Sequence, residues 1–543
     1  AESDAGHYAA ARTIAEEVLA AAEALADRPL RAAARSALGD VQVHLTDYAA
    51  AEQNLAAAFF DALALARDDL AVDSGIGLAK LVGDQLARPA EGRLWARHVD
   101  ALLDRKGHNP GDDIDYLTAI GNIATRGGEY PAAEAAFRDA LARAEAMQPG
   151  HDLALADVLV SLAGVLGITG KAAEALALET RALALREAAL GPLHPDLGIT
   201  LTNLGIGHML LGDTAQAEQV QRRAIEIWRV SLPPGHERLA YPLSALGDLA
   251  LERGRFAEAR ADFDEALAIW ERSLGPEHPS TLFMQERLAT TLLLAGEREA
   301  ALRRIEGALA AWDQLAEPDP GGLTLALLTR AQIASALGDH AAAREPSARA
   351  RSIAEAAFGP THIYTLAARM MQHGLELETG APAQALAGLL PILADLEREH
   401  GPESRWVVDT LVLVGRSRHA QARAAALAFT RDRRATGALA DDPAWQAVQA
   451  GYAAARADLE RARSLCTKHE LNATAADVDL ALARTLWDGD LPPPGAPDRA
   501  PAPDDARSRA RALALAAAQT QRRLGAGEGL RQTEQWLREH PAP

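Results

Sequence analysis

The sequence predicts an all-α fold, a right-handed superhelical solenoid of helical hairpins closed by a helical C-terminal cap. Three observations carry that prediction. Apolar residues make up 48% of the 543 residues but aromatics only 4%, with alanine and leucine supplying most of the apolar share. Such a mixture suits helices packed closely through small side chains and is poor for a β-sandwich or barrel. The chain is also longer than one compact core usually grows, which a fold extended by repetition accommodates. Above all, the sequence repeats itself every 42 residues.

Four columns hold that period. Glycine recurs at Gly128, Gly170, Gly212, Gly254, Gly296, Gly338 and Gly380. Alanine follows five residues later at Ala133, Ala175, Ala217, Ala259, Ala301, Ala343 and Ala385. A second alanine column runs Ala140, Ala182, Ala224, Ala266, Ala308 and Ala350, until Ile392 breaks it. Proline keeps step at Pro192, Pro234, Pro276, Pro318, Pro360 and Pro402. The glycine ends one helix in the left-handed conformation, the alanines let the next helix approach its neighbours, and the proline stops that helix before the following repeat.

In chain order, residues 1–105 read as degenerate repeats, with Thr46 to Glu52 and Arg88 to Glu91 as weak copies of the turn at Gly128. Residues 106–402 are the regular array. Residues 403–490 lose the period but keep helical patterning, over roughly 404–432, 443–469 and 473–488. A proline-rich linker spans 491–504, and 505–543 forms a last helical pair that caps the array.

Leu201-Thr202-Asn203-Leu204-Gly205, Leu243-Ser244-Ala245-Leu246-Gly247, the turn glycines, and Tyr130 or Phe256 just past them resemble the tetratricopeptide repeat. The usual unit has about 34 residues, and the longer unit here with its Gly-Pro-x-His-Pro loop resembles the repeats of kinesin light chain. Two departures stand out: leucine replaces the first-helix tryptophan, and the last repeat degrades at His373 and Ile392. The resemblance implies a concave surface built mostly from the first helix of each repeat, a surface that binds peptides or protein segments.

Counting back 13 residues from each glycine places Asp115, Asp157, Ile199, Tyr241, Phe283, Leu325 and Ala367 on that surface. Counting back three adds Thr125, Gly167, Met209, Leu251, Leu293, Ser335 and Leu377. The expected groove is acidic at its N-terminal end and apolar in the middle. Toward the lysine and asparagine clamp of chaperone adaptors the first helices from 196 to 336 offer only Asn203, Arg287 and Arg330, which is not the clamp pattern.

Other features favour structural roles. His194, His236, His278 and His362 recur in the loops, too far apart for one metal, and read as helix-start packing. Trp228, Trp270 and Trp312 keep the period near the ends of second helices and read as core. Cys466 reads as an inert thiol, and the basic clusters at 431–434 and at Arg507, Arg509 and Arg511 as solvated faces. A formal net charge of −20 opposes nucleic-acid binding, and no apolar run is long enough to span a bilayer. Phosphate-loop, zinc-protease, nucleophile-elbow and kinase motifs are absent from the sequence, so it reads as non-catalytic with neither cofactor nor metal.

A narrower resemblance rests on Leu239 to Gly247, on Leu81 to Arg105 with Trp95-Ala96-Arg97, on Ala481 to Trp487, and on Glu534 to His540. These segments are similar to the C-terminal sensor region of bacterial eukaryotic-like serine/threonine protein kinases. That resemblance implies a regulatory region whose parent chain carries a kinase domain, as the absence of an initiator methionine suggests. It implies a soluble region in the cytoplasm, or in the periplasm where the parent kinase spans the membrane. Two other classes fit the same array: the ligand-sensing part of a nucleotide-dependent regulator or caspase-like protease system, and a free-standing adaptor.

Overall fold

The computed structural model describes residues 7–147, 150–315, 318–432, 442–490 and 506–541. Among these are 24 α-helices and no strand. The helices divide by their contacts into two units, Ala1–Pro242 and Leu243–Pro543.

The first unit opens with α1 (Tyr8–Ala24), α2 (Arg28–His44), α3 (Tyr48–Ala64) and α4 (Asp68–Lys80). The last turn of α4 widens into a π-helical segment, Leu81–Gln85, ahead of α5 (Pro89–Lys106). Three regular hairpins follow: α6 (Pro110–Arg126) with α7 (Tyr130–Ala146), α8 (Asp152–Ile168) with α9 (Ala172–Leu190), and α10 (Leu197–Leu211) with α11 (Thr214–Ser231).

The division falls inside α12 (Ala240–Glu252), which α13 (Phe256–Ser273) follows. Three further hairpins are α14 (Pro279–Leu294) with α15 (Arg298–Trp312), α16 (Pro320–Ala336) with α17 (His340–Phe358), and α18 (Ile363–Glu378) with α19 (Pro382–His400). The chain then runs through α20 (Val408–Asp432), α21 (Pro443–Lys468), α22 (Asn472–Gly489), α23 (Ala506–Leu524) and α24 (Gly527–Glu539). These agree with the helical segments expected beyond residue 403, whereas the proline-rich linker lies outside the described residues.

Every glycine of the turn column has a left-handed backbone, with φ between 72° at Gly254 and 87° at Gly296. The N-terminal turns keep that conformation without glycine: Ala26, Thr46, Ala66 and Ala87 have φ of 52° to 63°. The geometry of the repeat therefore outlasts its sequence signature, at a cost of about 1 kcal/mol or more per residue. Both alanine columns are buried, as are Trp228, Trp270 and Trp312. Close approach explains two further glycines. A Cβ at Gly121 would lie 2.4 Å from the Phe137 ring, and one at Gly247 2.5 Å from Phe263.

The loop histidines cap the helices that follow them. Nδ1 of His236, His278 and His362 accepts the backbone N–H two residues on, at 3.2 to 3.3 Å, and Ser404 does the same at its place in the column. His194 accepts from Asp196 N in the same way at 3.3 Å.

First helices of successive repeats touch one another, α4 with α6 and α6 with α8 in the first unit, α14 with α16 and α16 with α18 in the second. Second helices are joined instead by long charged side chains. Each unit also curls back on itself. In the first, Tyr8 Oη donates to Asp196 Oδ1 at 2.7 Å and Tyr48 Oη to Glu237 Oε1 at 2.8 Å. In the second, Arg405 pairs with Glu252, Arg253 pairs with Glu470 at 3.1 Å, and Leu524 lies against Gly254.

Candidate binding surface

In the first unit the column one repeat earlier than Asp115 holds Asp73, and α2 contributes Asp40, so α2, α4, α6 and α8 present a row of four carboxylates. The side chains of Asp115 and Asp157 are 61% and 63% exposed. Burial among the surrounding walls, with Asp73 next, pushes the Asp40 carboxyl up to about 6 against the pull of Lys80. Burial likewise raises Asp73, reinforced by Asp112, and raises Asp115 against the pull of Lys80. Solvent thus reaches Asp40, Asp73 and Asp115 while the surrounding walls strip part of their hydration. Cations temper the row: Lys80 Nζ lies 4.0 Å from Asp115, Lys106 pulls on Asp73, and Arg186 pairs with Asp157.

The other predicted residues of this unit differ in what they offer. Ile199 and Met209 are half-buried, and Tyr241 is 51% exposed. Asn203 is turned toward the core, where its amide donates to Glu179 Oε1 at 3.1 Å. Glu179 was missed by sequence reasoning. It is only 3% exposed, in a column whose other members are all buried, apolar at Phe137, Phe263, Ile305 and Leu389 and polar but uncharged at Gln221 and Ser347. Burial raises its carboxyl to about 8, against the Asn203 hydrogen bond and the charge of Arg186.

In the second unit Leu251 is only 6% exposed, so it packs the core and lines no groove. Phe283, Leu293 and Leu325 are half-buried, and Leu293 packs on the core around Leu292 and Ala301. The guanidinium of Arg287 lies 5.9 Å from the Phe283 ring centroid and is committed to acids. It pairs with Asp248 at 2.9 Å and approaches Glu286 at 3.6 Å. Glu286 is buried and accepts from Thr290 at 2.8 Å and Thr329 at 2.6 Å. Burial lowers the pKa of Arg287, but Asp248 and Glu286 outweigh burial and raise it. Arg330 pairs with Glu306 at 3.2 Å.

Cys466 is buried, and burial followed by the charge of Asp409 pushes its thiol up to about 12. Its expected inertness follows from that environment. Arg507, Arg509 and Arg511 do not form a simple solvated face. Arg507 stacks over Trp487 at 5.4 Å, Arg509 pairs with Glu460 at 2.8 Å, and Arg511 donates to Leu537 O at 3.2 Å, tying the last helices to their neighbours. Arg431 is exposed, while residues 433 and 434 of the other cluster lie outside the described residues. Among the described residues no group of three or more histidine, cysteine or acidic side chains is placed to hold a metal, and no helix is long and apolar enough to cross a membrane.

Residues 152–229 and 238–314 match the tetratricopeptide repeat family model. No curated protein gives a match by sequence. Among solved structures, a kinesin-light-chain protein of nearly identical TPR-like repeats from Podosopora anserina matches with TM-score 0.33 and 20% identity, over 38% of this chain and 96% of that one. A Rap protein complexed with competence and sporulation factor matches with TM-score 0.45 and 15% identity, over 70% and 99%. The apo form of RapI gives 0.43 and 11%, over 71% and 97%. The two matched segments and the run of helical hairpins around them make this chain a tetratricopeptide-like helical repeat array.

Proposed function

We propose that the array binds a protein or peptide segment along its first-helix rows, as the regulatory sensor or partner-recruiting region of a bacterial serine/threonine protein kinase. The observation that carries the binding reading is the row Asp40, Asp73, Asp115 and Asp157. Carboxylates held near one another in a partly dehydrated concavity gain most from a cationic ligand, because it restores the charge stabilisation that water no longer supplies. The row therefore suits a basic segment. Phe283, Leu293 and Leu325 provide apolar anchors in the second unit. The regular repeats, 106–402, supply most of these positions, with 505–543 as the cap.

Calorimetric titration with oligolysine and oligoglutamate tests the charge preference. Oligolysine is expected to bind, oligoglutamate not, and Asp115→Asn/Asp157→Asn to weaken oligolysine by roughly five- to tenfold at low salt. Equal affinity for the two peptides, or an unchanged double variant, would remove the acidic row from the account. The kinase reading is supported by the segments at 81–105, 239–247, 481–487 and 534–540. The full-length gene decides it: a kinase motif set elsewhere in the open reading frame supports the reading, and its absence ends it.

A further inference from the structure

The second helices carry a ladder of ion pairs from one repeat to the next. Glu145 pairs with Arg181 at 2.7 Å, Glu187 with Arg223 at 2.6 Å, and Asp313 with Arg349. In sequence the acids and their arginine partners form two 42-residue columns, 145, 187, 229, 271, 313 and 181, 223, 265, 307, 349. At 229 and 265 the two charges are exchanged, Arg229 and Glu265. At 271 and 307 one is missing, because Glu271 has Gly307 where the column places arginine; the next step, Glu355 and Pro391, also lacks it, but there Glu355 pairs within its own helix with Arg351 at 2.9 Å.

A cleft of about 770 Å³ opens at that gap, lined by Glu271, Gly307, Ala311, Gln285, Arg303 and Leu282 among others. A Cβ at Gly307 would meet nothing within 4 Å. Glu271 accepts from Gln285 Nε2 at 3.3 Å, and among the described residues no cation comes within ion-pair distance of it. Arg304, one turn before Gly307, is held by Gln285 and does not fill the gap. Arg303 lines the cleft without an ion pair among the described residues.

We propose that this cleft between α13 and α15 receives an arginine side chain from a partner segment, seated against Glu271 where three other repeats supply their own guanidinium. The chain itself displays the chemistry that fills the equivalent space, three times over. A planar guanidinium suits it because it can bond a carboxylate through two N–H groups while its stem lies on the apolar floor. Arg303 then stands ready for an acidic residue of the same segment. The site is independent of the first-helix rows, so each can fail without the other.

A random-peptide display selection on immobilised wild-type protein, with counter-selection on Gly307→Arg, tests the inference. Gly307→Arg restores the column and replaces a mid-helix glycine, so it should fold, as circular dichroism would verify. The selected peptides are expected to share an arginine. Synthesised, such a peptide should bind Glu271→Gln about tenfold more weakly than wild type, show no binding to Gly307→Arg and bind Asp115→Asn/Asp157→Asn unchanged, and its citrulline analogue should bind wild type about tenfold more weakly. Selection of peptides without arginine, such as an acidic consensus that depends on Arg303 alone, equal binding to Gly307→Arg, or no peptide that distinguishes the two proteins would each overturn it.

Discussion

Replacing Glu179 with glutamine should leave stability at about pH 5 nearly unchanged and raise it by roughly 3–5 kcal/mol at about pH 9. The carboxyl titrates near 4.5 when the chain is unfolded and is raised to about 8 in the fold, chiefly by burial. Between those values the native state keeps a proton that the unfolded state has released. Stability therefore falls as pH rises through that window and levels off above it. Glutamine has no proton to lose and keeps an amide near Asn203, so it removes this decline. Other shifted groups, such as Asp40 and His236, are common to both proteins and cancel in the difference. Urea unfolding across the pH range measures it, and parallel curves for the two proteins would show that Glu179 is charged in the fold.

Arg287→Ala should destabilise the second unit by about 2–4 kcal/mol at neutral pH, because it leaves half-buried Asp248 and buried Glu286 without their counter-charge. The loss should shrink in acid, where burial already favours protonated Asp248. Adding Asp248→Asn and Glu286→Gln to Arg287→Ala should recover most of the lost stability. A groove residue whose task is to meet ligand would behave differently, with little change in urea midpoint on removal. That result would return Arg287 to the list of contact residues and break the reading of it as a structural ion pair.

The parts of the fold that repeat were legible in the sequence. A glycine at the turn, two alanines on the second helix and a histidine or proline in the loop each have a local physical cause, so each shows as a column. The curling of each unit did not show, because Tyr8 meets Asp196 across 188 residues only after small rotations accumulate over several hairpins. The N-terminal turns were faint for another reason: Ala26, Ala66 and Ala87 adopt the left-handed conformation that glycine usually signals. Within the candidate surface, extending the column by one more period from Asp115 would have reached Asp73. Glu179 could have been found as the one charged residue in its 42-residue column. Leu251 and Asn203 were misplaced because a helical register gives the side of a helix, while packing of the next repeat decides whether that side is open or covered.

The proposed binding takes place on the first-helix rows. Affinity capture from the native host lysate, with wild type beside a Tyr241→Ala/Phe283→Ala variant of unchanged helical circular dichroism, tests it most directly. A partner retained by wild type and lost with the variant is the predicted result, and equal retention of every captured partner by both proteins would contradict it.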